Sequence, residues 1–135
     1  MKKFVLAILC ISLLCIAAGC AAEKLSTEKL RDIEFTVVPK KDIPEELKKM
    51  IEEEGENPFK LTYSDNGELY IAVGYGKQPT SGYSIEVKEL YETKNAIYIH
   101  TNLMGPAKDE KILERATCPY IVVKMEFIDK NVVFE

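Results

Sequence analysis

The side chains best suited to catalysis are few in this sequence. His100 is the single histidine, and Cys118 is the cysteine farthest from the chain start. A thiolate nucleophile needs a base in contact and electropositive surroundings. His100 alternates with Ile97 and Ile99 in a β-patterned run, whereas Cys118 stands beside Pro119 in an acidic chain. We expect a half-exposed strand histidine and a protein that is not an enzyme, although spacing alone leaves a His100–Cys118 pair open as a third interpretation.

Patterns for metals and nucleotides are incomplete. No cysteine or histidine pair has the spacing of a metal site, and Asp65-Asn66-Gly67 lacks the remaining oxygen ligands of a calcium loop. Gly74, Gly76 and Gly82 superficially resemble a phosphate-binding loop, but such loops run from a strand into a helix. Here β-patterned runs flank the glycines on both sides. We expect no metal and no cofactor.

The stretch around these glycines indicates protein recognition instead. It spans residues 73–85, contains three glycines and Pro79, and has Tyr75 and Tyr83 near its ends. Glycine and proline shape a loop through its backbone, and tyrosines are favoured at binding surfaces. A rigid corner with tyrosines at the edge of the core is the alternative. The predicted partner-binding residues are Gln78, Pro79, Thr80, Ser81, Gly82, Tyr83, Pro119 and Tyr120.

The start of the chain has the pattern of an export signal. A basic start (Met1-Lys2-Lys3) precedes an apolar run from Phe4 to Ala18, which is shorter than the ~20 residues that a spanning helix needs. Ala17-Ala18-Gly19-Cys20 resembles the lipobox of bacterial lipoproteins, with Ala17 where leucine is common. The resemblance implies cleavage before Cys20, lipid on its sulfur, and anchoring at the extracytoplasmic face of a bacterial cell membrane. Secretion without lipid is the alternative.

Length and charge predict one acidic domain. The chain has 135 residues, which suffices for one core. Cleavage removes Lys2 and Lys3 from 18 basic residues, against 22 acidic ones, and leaves a net charge of about −6. We therefore expect no nucleic-acid partner. With Cys20 lipidated, Cys118 has no internal disulfide partner. The predicted divisions are a signal peptide (1–19), a tether (20–32) and a domain (33–135).

One early helix is predicted before a series of strands. Residues 33–38 read as a strand, and Pro39 ends it. Asp42 and Glu45 fit a capping box with a proline between them. The apolar stripe of this helix consists of Ile43, Leu47, Met50 and Ile51. The helix needs a sheet to pack on, because three glutamates oppose its dipole at the C-terminal end.

The remainder of the chain is predicted to be β. Asp65-Asn66-Gly67 lies between alternating hydrophobic runs and indicates a tight hairpin. Further runs at 83–88, 96–101, 120–128 and 132–134 alternate or are apolar, with a polar turn read at Glu92–Asn95. The fold class is therefore α+β: a mostly antiparallel sheet or β-sandwich of about seven strands with one early amphipathic helix.

One family matches these features. Residues 76–85, the strand at 96–101, Gly105-Pro106 and Thr117-Cys118-Pro119-Tyr120 resemble the PrcB C-terminal domain family, over roughly residues 42–135. Its pattern usually reads Pro-Thr-Gly-Gly-Tyr, so Ser81 is a departure. The resemblance implies a non-catalytic subunit that associates with a cell-surface protease complex and supports its assembly or stability.

The same loop has a second resemblance. Residues 79–83 are similar to the Asn-Pro-Thr-Thr-Gly-Tyr loop of chagasin-like inhibitors of papain-type proteases. This implies entry of the loop into a protease cleft, with an Arg-Pro-Trp loop assisting. Here Gln78 replaces the asparagine, Ile85 replaces an aromatic residue, and Cys118-Pro119-Tyr120 replaces Arg-Pro-Trp. A protease inhibitor is thus the alternative to a protease-associated, extracytoplasmic protein-binding domain.

Overall fold

The computed structural model describes residues 28–135. The predicted signal peptide (1–19), the lipidation site Cys20 and the greater part of the predicted tether lie outside the described residues. No helix within residues 28–135 is both long enough and apolar enough to cross a membrane.

Eight strands and one α-helix make up the described part of the chain. The helix, α1, is Glu45–Glu54, and a 3₁₀ turn at Lys40–Asp42 precedes it. The strands are β1 (Lys29–Asp32), β2 (Thr36–Val37), β3 (Pro58–Asp65), β4 (Glu68–Tyr75), β5 (Ser84–Thr93), β6 (Ala96–Met104), β7 (Tyr120–Glu126) and β8 (Asn131–Phe134).

The strands form two four-stranded sheets. Sheet A has the order β1-β5-β6-β8, and sheet B has the order β2-β7-β4-β3. Every pairing is antiparallel except that of β6 with β8, which is parallel. The predicted fold class is confirmed: mostly antiparallel strands in two sheets with one helix.

The main core lies between the sheets. Sheet B contributes Ile71 and Val123, and sheet A contributes Ile97 and Ile99; each is at most 1% exposed. Ile71 and Val123 are opposite each other on neighbouring strands, and Ile97 and Ile99 alternate along β6. One face of each sheet is therefore apolar. Burial of each such side chain contributes roughly 1.5–3 kcal/mol before the loss of chain entropy.

The β3–β4 hairpin forms as its sequence predicts. Its two-residue loop has Asn66 at φ 49° and Gly67 at φ 77°. Two positive φ angles match the twist of the flanking strands, and Asn-Gly adopts them at low cost. The register runs without interruption from Asp65↔Glu68 to Pro58↔Tyr75. The hairpin therefore carries β4 directly to the start of the glycine-rich loop.

Helix α1 covers the outer face of sheet B. Leu47 and Ile51 are buried and pack with Ala72 of β4 and Val122 of β7. Because these two strands alternate, their other side chains face the main core. The sandwich thus has three layers, in the order sheet A, sheet B and helix, and the predicted packing of the stripe is confirmed.

The predicted capping box is wrong. Pro44 holds the capping position, α1 begins at Glu45, and no side chain caps the helix. Ile43 precedes a proline and has extended angles, φ −69° and ψ 131°. A residue before proline is disfavoured in the helical region, so the helix cannot start at Asp42.

The first strand differs from its prediction. Residues 33–38 do not form one strand, because the chain leaves sheet A after Asp32 and enters sheet B at Thr36. Sheet A starts at Lys29, so the tether predicted for residues 20–32 overlaps β1. All four residues of β1 are exposed, and a strand without a buried face has no apolar alternation to reveal it.

The predicted polar turn at Glu92–Asn95 is shorter than expected. Strand β5 continues to Thr93, and Glu92 is only 9% exposed. The Glu92 carboxylate accepts hydrogen bonds from Arg31 Nε at 2.7 Å and from Lys130 Nζ at 2.6 Å. Two cations from distant parts of the chain therefore keep a charged strand residue inside the sheet.

Candidate functional site

Two segments distant in the sequence form the candidate site. The first is the 76–83 loop between β4 and β5, and the second is the 105–119 connection between β6 and β7. Gln78 N donates to Thr117 O at 2.7 Å, and Thr117 N donates to Gln78 O at 3.0 Å. Tyr75 N donates to Pro119 O at 3.2 Å. The β4–β7 ladder thus continues into the loop and holds one side of it.

The tip of the 76–83 loop is fixed from the same connection. Ser81 N donates to Leu113 O at 3.1 Å, and Leu113 N donates to Ser81 Oγ at 2.8 Å. Thr117 Oγ1 donates to Thr80 O at 2.7 Å. The backbone of the loop is therefore ordered before any partner binds, which lowers the entropy cost of association.

Two glycines of the loop lie in close contact with neighbouring segments. Gly76 has φ 74°, and a Cβ atom there would lie 3.1 Å from Glu56 O. Gly82 has φ 89°, and a Cβ atom there would lie 2.8 Å from Pro106 Cβ. Positive φ is strained for other residues, and both positions lack space as well. Glycine at 82 thus permits contact between the loop and the 105–119 connection.

The surface of this assembly is partly apolar. Pro79 and Gly82 are exposed, while Gln78, Thr80, Ser81 and Tyr83 are half-buried. Leu113 is 61% exposed and Ile112 is 40% exposed. The exposed groups of Pro79, Ile112 and Leu113, together with the half-buried Thr80 and Ser81, form what we call the tip surface.

Ile112 and Leu113 were absent from the residues predicted for the site. They form an apolar pair between Lys111 and Glu114 within a long connection. Two adjacent large apolar residues in an otherwise charged loop are a signal that the sequence contained. The proximity of Leu113 to Ser81 depends on hydrogen bonds between residues 32 positions apart, which no local pattern predicts.

Tyr120 packs beneath helix α1. The centroid of its ring lies 6.1 Å from the centroid of the Phe59 ring. Both residues pair with Gly74, one from each neighbouring strand. Burial, followed by the negative charge of Glu52, raises the pKa of Tyr120. The structure therefore places the ring of Tyr120 under the helix, while the carbonyl of Pro119 supports the loop.

The base of the loop is tied across the sandwich. Tyr75 of sheet B and Thr101 of sheet A share a hydrogen bond of 2.6 Å between their hydroxyl groups. Thr101 is only 8% exposed, and a bond in such surroundings is well shielded from water. Tyr75 is thus a structural residue at the point where β4 enters the loop.

The structure does not bring the candidate nucleophile and base into contact. His100 lies in β6 of sheet A, and Cys118 is exposed just before β7 of sheet B. No hydrogen bond joins them within residues 28–135. In the same part of the chain, no three histidine, cysteine, aspartate or glutamate residues lie close enough together to hold a metal ion.

Comparison with known proteins gives one match. The family model described as PrcB C-terminal matches residues 69–126. No curated protein and no solved structure matches the chain. The matched segment runs from the start of β4 through the 76–83 loop and the 105–119 connection to the end of β7. The similarity of the loop to chagasin-like inhibitors has no support in these comparisons. The match over residues 69–126 supports similarity of this part of the chain to the PrcB C-terminal family.

Proposed function

We propose that this protein is a lipid-anchored, extracytoplasmic, non-enzymatic domain that binds a protein partner through the tip surface. The observation that carries the proposal is the ordering of this surface. Hydrogen bonds from the 105–119 connection fix the 76–83 loop at Gln78, Thr80 and Ser81, yet Pro79 and Leu113 remain exposed. A rigid loop with exposed apolar side chains is suited to binding another protein, because little conformational entropy is lost.

The family supports a partner of a particular kind. Resemblance to the PrcB C-terminal family implies association with a cell-surface protease complex, and we propose a subunit of such a complex as the partner. The role is assembly or stabilisation and not catalysis. Lipid on Cys20 would keep the domain at the extracytoplasmic face of the membrane, where such a complex resides.

The proposal is tested with a double variant of the tip surface. Pro79→Ser combined with Leu113→Ser removes two exposed apolar groups and leaves in place the backbone hydrogen bonds that fix the loop. We expect recovery of the protease subunit in a pulldown from cell envelopes to fall about tenfold or more, as for loss of an apolar anchor. Leu30→Ser is the matched control, because Leu30 is 60% exposed and Leu113 is 61% exposed.

Two results would contradict the proposal. Equal recovery of the subunit by the double variant and by the Leu30→Ser control would show that the tip surface does not bind it. Dose-dependent inhibition of a papain-type protease by the wild-type chain, lost in the double variant, would assign the same surface to an inhibitor instead.

A further inference from the structure

Three lysines line one cleft beside helix α1. Lys40 and Lys41 belong to the 3₁₀ turn that precedes the helix, and Lys48 lies in the first half of the helix. The cleft has a volume of about 410 Å³. Its other lining residues are Ile51, Glu52 and Tyr120. We call it the lysine cleft.

The charge of the lysine cleft is opposite in sign to that of the whole chain. Three lysines against one glutamate give its lining a net charge of +2, whereas the whole chain has a net charge of −4. Like charges that are brought together repel one another, most strongly at low ionic strength. An anion bound between the ammonium groups relieves this repulsion, so the cleft favours an anionic ligand.

The three ammonium groups have few carboxylate partners within residues 28–135. Lys40 and Lys41 take part in none of the ion pairs of this part of the chain. Lys48 Nζ lies 3.8 Å from Glu45 Oε1, but the Glu45 side chain is 83% exposed. An exposed pair of this kind contributes little to stability, so Lys48 can exchange Glu45 for another anion at low cost.

Tyr120 fixes one wall of the lysine cleft. Lys40 Nζ lies 5.1 Å from the centroid of the Tyr120 ring, which is within the range of a cation–π contact. The Tyr120 side chain packs in turn with the buried cluster under α1, to which Ile51 belongs. The ammonium group of Lys40 is therefore held at a wall that is part of the packed fold.

The number of ammonium groups indicates which anion fits. A terminal phosphate group carries a charge of about −1.5 to −2 at pH 7 and three acceptor oxygens, whereas a carboxylate carries one charge and two oxygens. We propose that the lysine cleft binds a phosphate group, to which Lys40, Lys41 and Lys48 donate hydrogen bonds. Two sources present this chemistry, free inorganic phosphate and a small phosphate ester. The site shares no residue with the tip surface and goes beyond the function proposed above.

The test is a titration of the ¹⁵N-labelled full chain with inorganic phosphate at neutral pH, with chloride at the same ionic strength as the reference. We expect saturable shifts of the Lys40, Lys41 and Lys48 amide signals with phosphate alone. The dissociation constant should be about 1 mM, as for two or three charge-assisted hydrogen bonds. Lys40→Gln combined with Lys41→Gln removes two of the three charges and should weaken binding about tenfold or more.

A second titration with glycerol phosphate distinguishes the two sources of the phosphate group. Tighter binding of glycerol phosphate would assign the lysine cleft to a phosphate ester, and tighter binding of inorganic phosphate would assign it to the free anion. Either result supports the proposal, because both probes present a phosphate group to the same lysines.

Lys88→Gln combined with Lys94→Gln is the matched control. Both lysines are exposed, neither lines the cleft, and the net charge changes by the same amount. Equal weakening of binding by this control would show that only the overall charge matters and would overturn the proposal. The absence of saturable shifts with phosphate, the same shifts with chloride, or unchanged binding by the Lys40→Gln/Lys41→Gln variant would overturn it as well. The pulldown with the tip-surface variant is independent of these titrations.

Discussion

At the scale of the residue, Ser81 shows how this loop differs from the PrcB C-terminal pattern that it resembles. That pattern, Pro-Thr-Gly-Gly-Tyr, has glycine at this position. In the structure Asn66 is the only described non-glycine residue with positive φ, so Ser81 does not adopt the backbone angle that favours glycine. Its hydroxyl group accepts a hydrogen bond from Leu113 N at 2.8 Å. The serine therefore adds a contact that glycine cannot make.

Gly82 gives the sharpest prediction at this scale. Gly82→Ala combines a positive φ with a Cβ atom placed 2.8 Å from Pro106, whereas Gly67→Ala has a positive φ and no atom within 4 Å. We expect Gly67→Ala to cost about 1 kcal/mol in unfolding free energy and Gly82→Ala about 1–3 kcal/mol more. Urea unfolding of both variants measures the difference. Equal losses would show that Pro106 does not press on the loop.

At the scale of the element, local patterns predicted strands and the helix but not their partners. Asn66-Gly67 specifies its hairpin, because the turn needs two positive φ angles that this dipeptide readily adopts. The stripe of Leu47 and Ile51 likewise predicts a helix on a sheet. Strand β1 was missed because it buries no face, and the pairing of Gln78 with Thr117 was missed because it joins residues 39 positions apart.

Glu92 of β5 pairs with Arg31 of β1 and with Lys130 in the turn before β8, and these ion pairs give a prediction on pH. It accepts hydrogen bonds from Lys130 and Arg31, and these lower the pKa of its carboxyl group below 4.5. A carboxyl group whose pKa is lower in the folded state than in the unfolded state stabilises the fold at pH values above its unfolded-state pKa. This stabilisation is lost as the pH falls through the folded-state pKa. Glu92→Gln should therefore unfold at a lower temperature than wild type at pH 7, and the gap should close toward pH 3.

The control for this prediction is Glu89→Gln. Glu89 lies in the same strand, its side chain is 49% exposed, and its nearest cation is Lys29 Nζ at 3.9 Å. An exposed pair of this kind contributes little. The difference in unfolding temperature between Glu89→Gln and wild type should therefore be small and equal at pH 7 and pH 3. A difference for Glu92→Gln that is also the same at both pH values would rule out the ion pairs as its cause.

At the scale of the whole molecule, the fold class followed from the sequence and the assembled site did not. Alternating strands and one amphipathic helix suffice for an α+β sandwich. The tip surface requires the 76–83 loop and the 105–119 connection to meet, and the sequence signals each of them only as a separate loop. Hydrogen bonds between Ser81 and Leu113 create the surface, and they depend on the position of both sheets.

The proposed membrane attachment through Cys20 gives a simple prediction. If Cys20 carries lipid, cells fed a labelled fatty acid should incorporate it into the wild-type chain and not into a Cys20→Ser variant. The wild-type chain should sediment with membranes, because two or more acyl chains give stable anchoring. Cys118→Ser is the control and should retain the label. Equal labelling of all three chains would contradict lipidation at Cys20.

Partner binding by the tip surface is tested most directly by crosslinking in intact cells. A photoreactive residue is placed at Leu113 in one chain and at Leu30 in another, since both side chains are about equally exposed. We predict that the chain labelled at position 113 forms one dominant crosslink, which mass spectrometry identifies as a subunit of a cell-surface protease, and that the chain labelled at position 30 does not. The absence of that crosslink at position 113, or the same products from both positions, would contradict it.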